Sequence, residues 1–460
     1  MNNRLLSRRN FLKTSGAVIG VGMLAACAAP AAPGAGTGTE QAATSAGITL
    51  QFASQYPEPP MNAGDDQIIA KFEEENPGIK VEKMTWPGQD FHDKLRLLAT
   101  AGDLPDVFNM ESKQLIDMVS RSMILELGEL FSAQEALKQE DYFEGDWEKQ
   151  TFNGKLYSLS LDSQDVILYY NKDLFDKKGI AYPPKNWDDP EWTYDKLLEI
   201  ALQLSEGEGA SRIFGYQTSR WWVYAYPIVW SYGGLITNED RTESRMSMEE
   251  TMAAFQYRTD LILKHHVEPT PAEQTEGVDT LFGSGRLGMR AIWNPWMWYI
   301  KDVPDLHFDI AAMPSGPTGA FTRTPQDCFA VGSQTKQIDA AFKFASYAAG
   351  PTGQEIMCNT LGLGTPTLKA VAALDSFIHP PANGLEHIDQ SLVLDIFKGN
   401  HYKHQDVTTK WPEMDKMITA DMDVLLDGGQ TVEEFANKLD PQITALLQSI
   451  PVEQRGWIGD

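Results

Sequence analysis

Two short stretches concentrate aromatic rings. The first, "IWNPWMWYI" (292–300), carries Trp293, Trp296, Trp298 and Tyr299. The second, "RWWVYAYPIVWSY" (220–232), carries Trp221, Trp222, Tyr224, Tyr226, Trp230 and Tyr232. Together they hold half of the chain's 12 tryptophans. The chemistry such rings offer is recognition. A pyranose has flat C–H faces that pack on a large rigid ring with a negative π-face. Its hydroxyls need carboxylate or amide partners, because a polar group left dry and unpaired costs free energy. A sugar cleft should therefore be rich in Trp and Tyr with scattered Asp, Glu, Asn and Gln, and the two stretches meet that aromatic demand. An anion site would want basic residues, and these stretches hold few. Buried tryptophan is also common, so part of each cluster is expected to be core.

Other chemistries find less support. No G-x-S-x-G or H-E-x-x-H occurs. Gly283-Ser284-Gly285-Arg286-Leu287-Gly288 matches G-x-G-x-x-G, but a helix-like stretch precedes it and a strand-like one follows, the reverse of a dinucleotide fingerprint. His401 and His404 in "HYKH", and His265 with His266, lack a third ligand at metal spacing and are expected on the surface. Cys328 and Cys358 have no metal-site spacing, and whether they pair is left open. No cofactor is expected. A glycosidase needs aromatic platforms and two carboxylates, so among 64 acidic residues an anchored carbohydrate-active enzyme is the rival reading.

The elements that must position these residues follow from length and periodicity. At 460 residues, two lobes are expected. A net charge of −26 argues against a nucleic-acid partner. The N-terminus has a basic start and then a short apolar stretch, so residues 1–26 read as an export signal. "SRRNFLK" looks like a twin-arginine signal, and "LAAC" looks like a lipobox that would lipidate Cys27. Residues 27–47 then form a flexible tether, rich in Ala, Pro, Gly and Thr. Beyond it "ITLQFASQ", "IKVEKMTW" and "LPDVFNM" read as strands separated by two helices, a β-α-β-α-β start. Further helices are predicted over 192–205, 248–265, 340–349, 414–426 and 432–447.

Six motifs in order carry a resemblance: "AGDLPDVFNM" (101–110), "FNGKLYSLSLDSQDVILYYNKDLFDKKGI" (152–180), "YGGLITNED" (232–240), "LFGSGRLGMRAIWNPW" (281–296), "MPSGPTG" (313–319) and "LGTPT" (363–367). Together they resemble the extracellular solute-binding proteins (family 1) of bacterial ABC sugar importers, the family of the maltose-binding protein. The resemblance implies an α/β fold of the periplasmic-binding-protein-like type II class. Two α/β lobes are joined by a multi-strand hinge with a ligand cleft between them. Lobe 1 is expected over 48–160 plus 310–365, and lobe 2 over 165–305 plus 370–460. It further implies a monomeric, non-enzymatic binder of a sugar or oligosaccharide that closes by hinge motion and docks on an ABC permease, with the ATPase engaged indirectly. The location would be extracytoplasmic, at the cell membrane through the lipid on Cys27. The same fold could instead take a peptide, a polyamine or a glycerol-phosphate ester.

Individual residues carry over one at a time. Trp296, the first Trp of "PWMW", stands where the family stacks a ring on sugar. Trp293 and Asn294 should leave a strand at its carboxyl end, and Pro295 should fix the turn that sets Trp296 at the cleft wall. Trp298 and Tyr299 are then expected to be packing rings. Trp411 matches a late cleft aromatic. Trp221 or Trp222, upstream of "YGG" with its Tyr232, matches another, and the choice between them stays open. Gln164 stands where the family has a carboxylate, which puts the hydroxyl contacts in doubt, and Asp162 could serve instead. Gln55 and Asn109 lie at strand carboxyl ends, where open α/β sheets bind ligands. Asp327 and Thr365 lie on candidate hinge-side returns.

Overall fold

The structure, a computed structural model, describes residues 47–380 and 385–455. The export signal, Cys27 and all of the tether except Gly47 lie outside the described residues. Among the described residues, twelve strands form two principal sheets and one hairpin. In chain order they are β1 (Ile48–Ser54), β2 (Ile79–Thr85), β3 (Val107–Glu111), β4 (Thr151–Phe152), β5 (Lys155–Leu156), β6 (Leu159–Ser163), β7 (Val166–Asn171), β8 (Phe214–Thr218), β9 (Leu287–Trp293), β10 (Phe308–Ala311), β11 (Gln326–Val331) and β12 (Thr365–Pro366).

The first sheet has the order β12-β6-β11-β3-β1-β2. β1 runs parallel to β2 and β3, while β11 runs antiparallel to both β3 and β6. Helices Met61–Glu75 and Gly88–Ala101 make the two crossovers, giving the expected β-α-β-α-β start. The second crossover stops at Gly102, whose left-handed φ of 81° lets its N–H turn back to Ala99 O. The second sheet has the order β10-β7-β9-β8. Its inner strand β7, "VILYYN", is buried at every position, as its unbroken apolar run requires. Helix Tyr194–Leu204 packs on this sheet through Leu197, Ile200, Ala201 and Leu204, and Thr193 caps it by accepting from Lys196 N. The approach is close: a Cβ at Gly215 of β8 would lie 1.9 Å from Ala201 O, so only glycine fits there.

Helices Glu249–Leu263, Ile338–Ala348, Trp411–Leu426 and Val432–Gln448 fall on the segments whose periodicity predicts them. The expected boundaries put residue 310 in lobe 1. Residue 310 lies inside β10, which pairs with β7 in the second sheet, so the return to the first sheet falls between β10 and β11. The lobes also share apolar packing. One buried cluster joins Phe91, Phe108 and Met110 of the first lobe to Trp222, Trp411 and Met414 of the second. Cys328 and Cys358 are both buried and unpaired. Among the described residues no helix is long and apolar enough to cross a membrane.

Candidate functional site

β3 ends at Glu111, and the chain turns at once through Ser112–Gln114. This turn brings Glu111, Lys113 and Gln114 opposite the second lobe, with His92 of helix Gly88–Ala101 beside them. The facing wall is Trp221, just beyond β8, and the first turns of helix Trp411–Leu426. Between the walls lies a cavity of about 820 Å³, within the size range of small-molecule sites. A second cavity, of about 420 Å³, lies on the first lobe beside the β4–β5 hairpin, and its lining includes neither tryptophan-rich stretch.

One carboxylate in the cavity wall holds two adjacent indoles. Trp221 Nε1 and Trp222 Nε1 each donate to Asp415 Oδ1 at 2.7 Å. Trp222 is buried, with its ring centre 5.5 Å from that of Trp411. Trp221 is only partly buried and lines the cavity. Of these neighbours, Trp221 is the one that lines the cavity. The ammonium of Lys113 lies 5.0 Å from its ring centre, a cation–π contact across the lobes.

The charges of the first-lobe wall are largely compensated. Lys113 is ion-paired with Glu111. Burial would raise the Glu111 carboxyl, but the Lys113 charge and hydrogen bond outweigh it and hold it below the usual range. His92 is pulled down to about 4 by burial, so its imidazole is neutral near pH 7. Its Nδ1 has no hydrogen-bond partner.

The polar residues singled out at strand ends gather into hydrogen-bonded groups beside the crossings. Gln55 N donates to Asn109 Oδ1 at 2.8 Å. Gln164 Nε2 donates to Asp327 Oδ2 at 2.6 Å, Tyr56 O–H donates to the same oxygen, and Asp327 N donates to Asp162 Oδ1 at 3.0 Å. Burial raises both Asp162 and Asp327, and their mutual repulsion adds to the rise at Asp162. Between the sheets, Asn294 Nδ2 donates to Thr365 Oγ1 at 2.9 Å, and Thr365 Oγ1 donates to Asp165 Oδ2 at 2.7 Å. Asp165 is pushed up to about 7 by burial and then by Asp146.

The stretch around Pro295 is arranged otherwise than expected. Trp296 is only 2% exposed and belongs to the second-lobe core. Tyr169 and Phe282 meet it edge-on, the Arg290 guanidinium lies 4.2 Å from its ring centre, and Nε1 donates to Asp279. Neither face is left open at a cleft wall. The expected packing rings are the accessible ones: Tyr299 is 49% exposed, and Trp298 is partly buried under Lys301. The reason is helical phase. Trp296 opens the short helix Trp296–Ile300, where Trp296, Met297 and Ile300 turn inward and leave 298 and 299 outside. Trp293, at the end of β9, is partly buried and pairs with Tyr299 at 5.8 Å. Tyr232 packs between Tyr194 and Tyr257, each 6.0 Å away. His401 is buried against Trp187 rather than on the surface. Among the described residues no cluster of His, Cys, Asp and Glu could hold a metal.

Sequence reasoning missed Glu111, Lys113, His92 and Asp415. Two signals pointed to part of the set. Glu111 follows Asn109 by two on a strand, which puts both on one face, and Asp415 follows Trp411 by four on a helix.

The family model described as bacterial extracellular solute-binding protein matches residues 58–355. A protein of Brucella abortus (strain 2308), named as a candidate binding protein, is 31% identical over 265 residues. That match covers 55% of this chain and 60% of the relative's length. The arabinooligosaccharide-binding protein of Bacillus subtilis (strain 168) is 24% identical over 309 residues, covering 62% of this chain and 65% of that protein. Among solved structures, an ABC substrate-binding protein of Listeria monocytogenes in complex with cycloalternan superposes with a TM-score of 0.75 at 21% identity, over 87% of this chain and 98% of that one. The sugar-binding protein MalE of Xanthomonas citri gives 0.74 at 18% identity, over 87% and 97%. At these identities the structures establish the fold: two α/β lobes of the MalE type.

Proposed function

The chain belongs to the bacterial extracellular solute-binding protein family, and from that premise we propose that it captures a sugar or oligosaccharide in the cleft and passes it to an ABC permease. The observation that carries this reading is the 820 Å³ cavity walled by Trp221 and Trp411 on one side and by Glu111, Gln114 and His92 on the other. Indole faces suit the C–H patches of a pyranose. A carboxylate, an amide and a neutral imidazole offer both acceptors and donors to its hydroxyls. Relatives named or solved with arabinooligosaccharide, cycloalternan and maltotriose fit the same ligand class.

A phosphate ester is a poorer match. Lys113 is committed to Glu111, and Lys416 is an exposed residue of the rim. A buried anion would therefore lack a dedicated cation. The site is read as a binding site and not a catalytic one. The location that goes with this function is extracytoplasmic, with Cys27 lipidated after twin-arginine export. A relative from Streptomyces antibioticus, itself named as a lipoprotein and 22% identical, supports the anchor.

A melting-temperature screen across sugar classes tests the reading. Stabilisation by a neutral saccharide, confirmed by calorimetric titration, is the expected outcome. Stabilisation only by phosphate esters, polyamines or peptides would replace it, and release of new reducing ends from oligosaccharides would make the protein an enzyme.

A further inference from the structure

Asp415 stands in the wall of the cavity, five residues into helix Trp411–Leu426. Its Oδ1 accepts from two indoles at once, Trp221 Nε1 and Trp222 Nε1, both at 2.7 Å, and Thr419 Oγ1 lies at 3.5 Å from the same oxygen. Hydrogen bonds to an ionised acceptor are short and strong, so one oxygen fixes the planes of two adjacent rings. The other oxygen is unused. Among the described residues no donor reaches Asp415 Oδ2, and no cation forms an ion pair with the carboxylate. A carboxylate has about four acceptor sites, and those on Oδ2 are left for solvent or ligand.

We infer that Asp415 has two tasks: Oδ1 positions the Trp221 ring for stacking, and Oδ2 accepts a hydrogen bond from a ligand hydroxyl next to the stacked ring face. This rests on the sugar reading of the cleft and extends it. It assigns a ligand contact to a residue that neither the sequence motifs nor the family resemblance singles out. It also defines the ligand more closely. The ring on Trp221 must carry a free hydroxyl at the edge facing Asp415, so a deoxy or O-methylated ring at that edge is rejected.

Two substitutions separate the tasks. Asp415→Asn keeps one acceptor oxygen. That oxygen must face the indoles, because an amide nitrogen cannot accept from their N–H groups. The amide N–H₂ then turns to the cavity in place of Oδ2. Asp415→Ala removes both functions. The first measurement needs no ligand: indole ¹H–¹⁵N resonances of tryptophan-labelled protein, assigned with Trp221→Phe and Trp222→Phe. Asp415→Ala should move both resonances, and Asp415→Asn should move them much less. The second is calorimetric titration with whichever of maltotriose, arabinotriose or tagatose gives the largest melting shift on the unsubstituted protein. Asp415→Asn and Asp415→Ala should each weaken binding about tenfold or more.

Unmoved indole resonances in Asp415→Ala overturn the positioning task. Asp415→Asn binding within about twofold of the unsubstituted protein, with its indoles unmoved, overturns the ligand contact. If none of the three sugars binds the unsubstituted protein, the ligand contact falls together with the sugar reading, while the resonances still decide the positioning task.

Discussion

The ammonium of Lys113 on the first lobe lies 5.0 Å from the ring centre of Trp221 on the second. The contact ties Trp221 to both lobes. Its chain neighbour Trp222 is only 1% exposed and packs on Trp411. Two adjacent tryptophans thus divide the work, one facing the cavity and one inside the core. Trp221→Ala is expected to cost ~2–4 kcal/mol of sugar affinity, as central aromatic anchors do, with little change in ligand-free melting. Trp222→Ala is expected to cost ~3–5 kcal/mol of folding stability. Calorimetric titration and melting of both variants check the division, and equal loss of affinity in a fully stable Trp222→Ala would refute it.

Asp65 sets a pH dependence. It is 1% exposed; Ser54 Oγ donates to its Oδ2 at 2.6 Å, and its Oδ1 has no partner. Burial pushes it from 3.8 up to about 7. The folded state therefore holds a proton that the unfolded chain has released. The stability this contributes is fully present below about pH 4 and is lost as pH rises through about 7. Each such proton contributes a slope of about 1.4 kcal/mol per pH unit. Asp65→Asn, which cannot titrate, should flatten the fall in ligand-free stability between pH 5 and 7. Denaturant titrations at several pH values read the slope, and an unchanged slope would show that Asp65 is already ionised in that range.

The anchor is tested at the N-terminus. Cys27 follows Leu24-Ala25-Ala26, the lipobox-like tripeptide. Cys27→Ser should move the protein from the membrane fraction to the soluble fraction. Continued membrane association of that variant would point to another means of attachment.

Much of the architecture is legible before any coordinates. "ITLQFASQ" and "LPDVFNM" alternate or run apolar as strands do, and Leu197, Ile200 and Leu204 repeat at helical spacing. The polar residues at strand ends are legible for a related reason. Gln55 and Asn109 come from β1 and β3, Asp162 and Gln164 from β6 and its end, and Asp327 from the start of antiparallel β11, so the sheet sets the carboxyl ends of three strands beside the amino end of a fourth. What is not legible depends on angles of a few tens of degrees. β10 has four residues, too few for a period to show which sheet it joins. Asp415 reads as one more acid on an amphipathic helix until two indoles from a distant loop meet it. The three rings that follow Pro295 can each face either way, because the phase of a five-residue helix decides which are inside.

That phase gives the last prediction. Trp296 is enclosed by Tyr169, Phe282 and Arg290, and its indole N–H is bonded to Asp279. Asp279 also pairs with Arg290, so the three side chains close on one another over the ring. Removing the indole leaves a cavity in the second-lobe core and strips the cover from a guanidinium whose Nε already lacks a partner. Trp296→Ala should therefore cost ~3–5 kcal/mol of folding stability, which lowers the ligand-free melting temperature markedly. Sugar affinity, measured well below that melting temperature, should stay within about threefold. Tyr299→Ala, at an exposed position, should leave melting nearly unchanged. The opposite pattern, a stable Trp296→Ala that binds sugar 30-fold or more weakly, would mean that Arg290 swings aside and Trp296 stacks on the ligand after all.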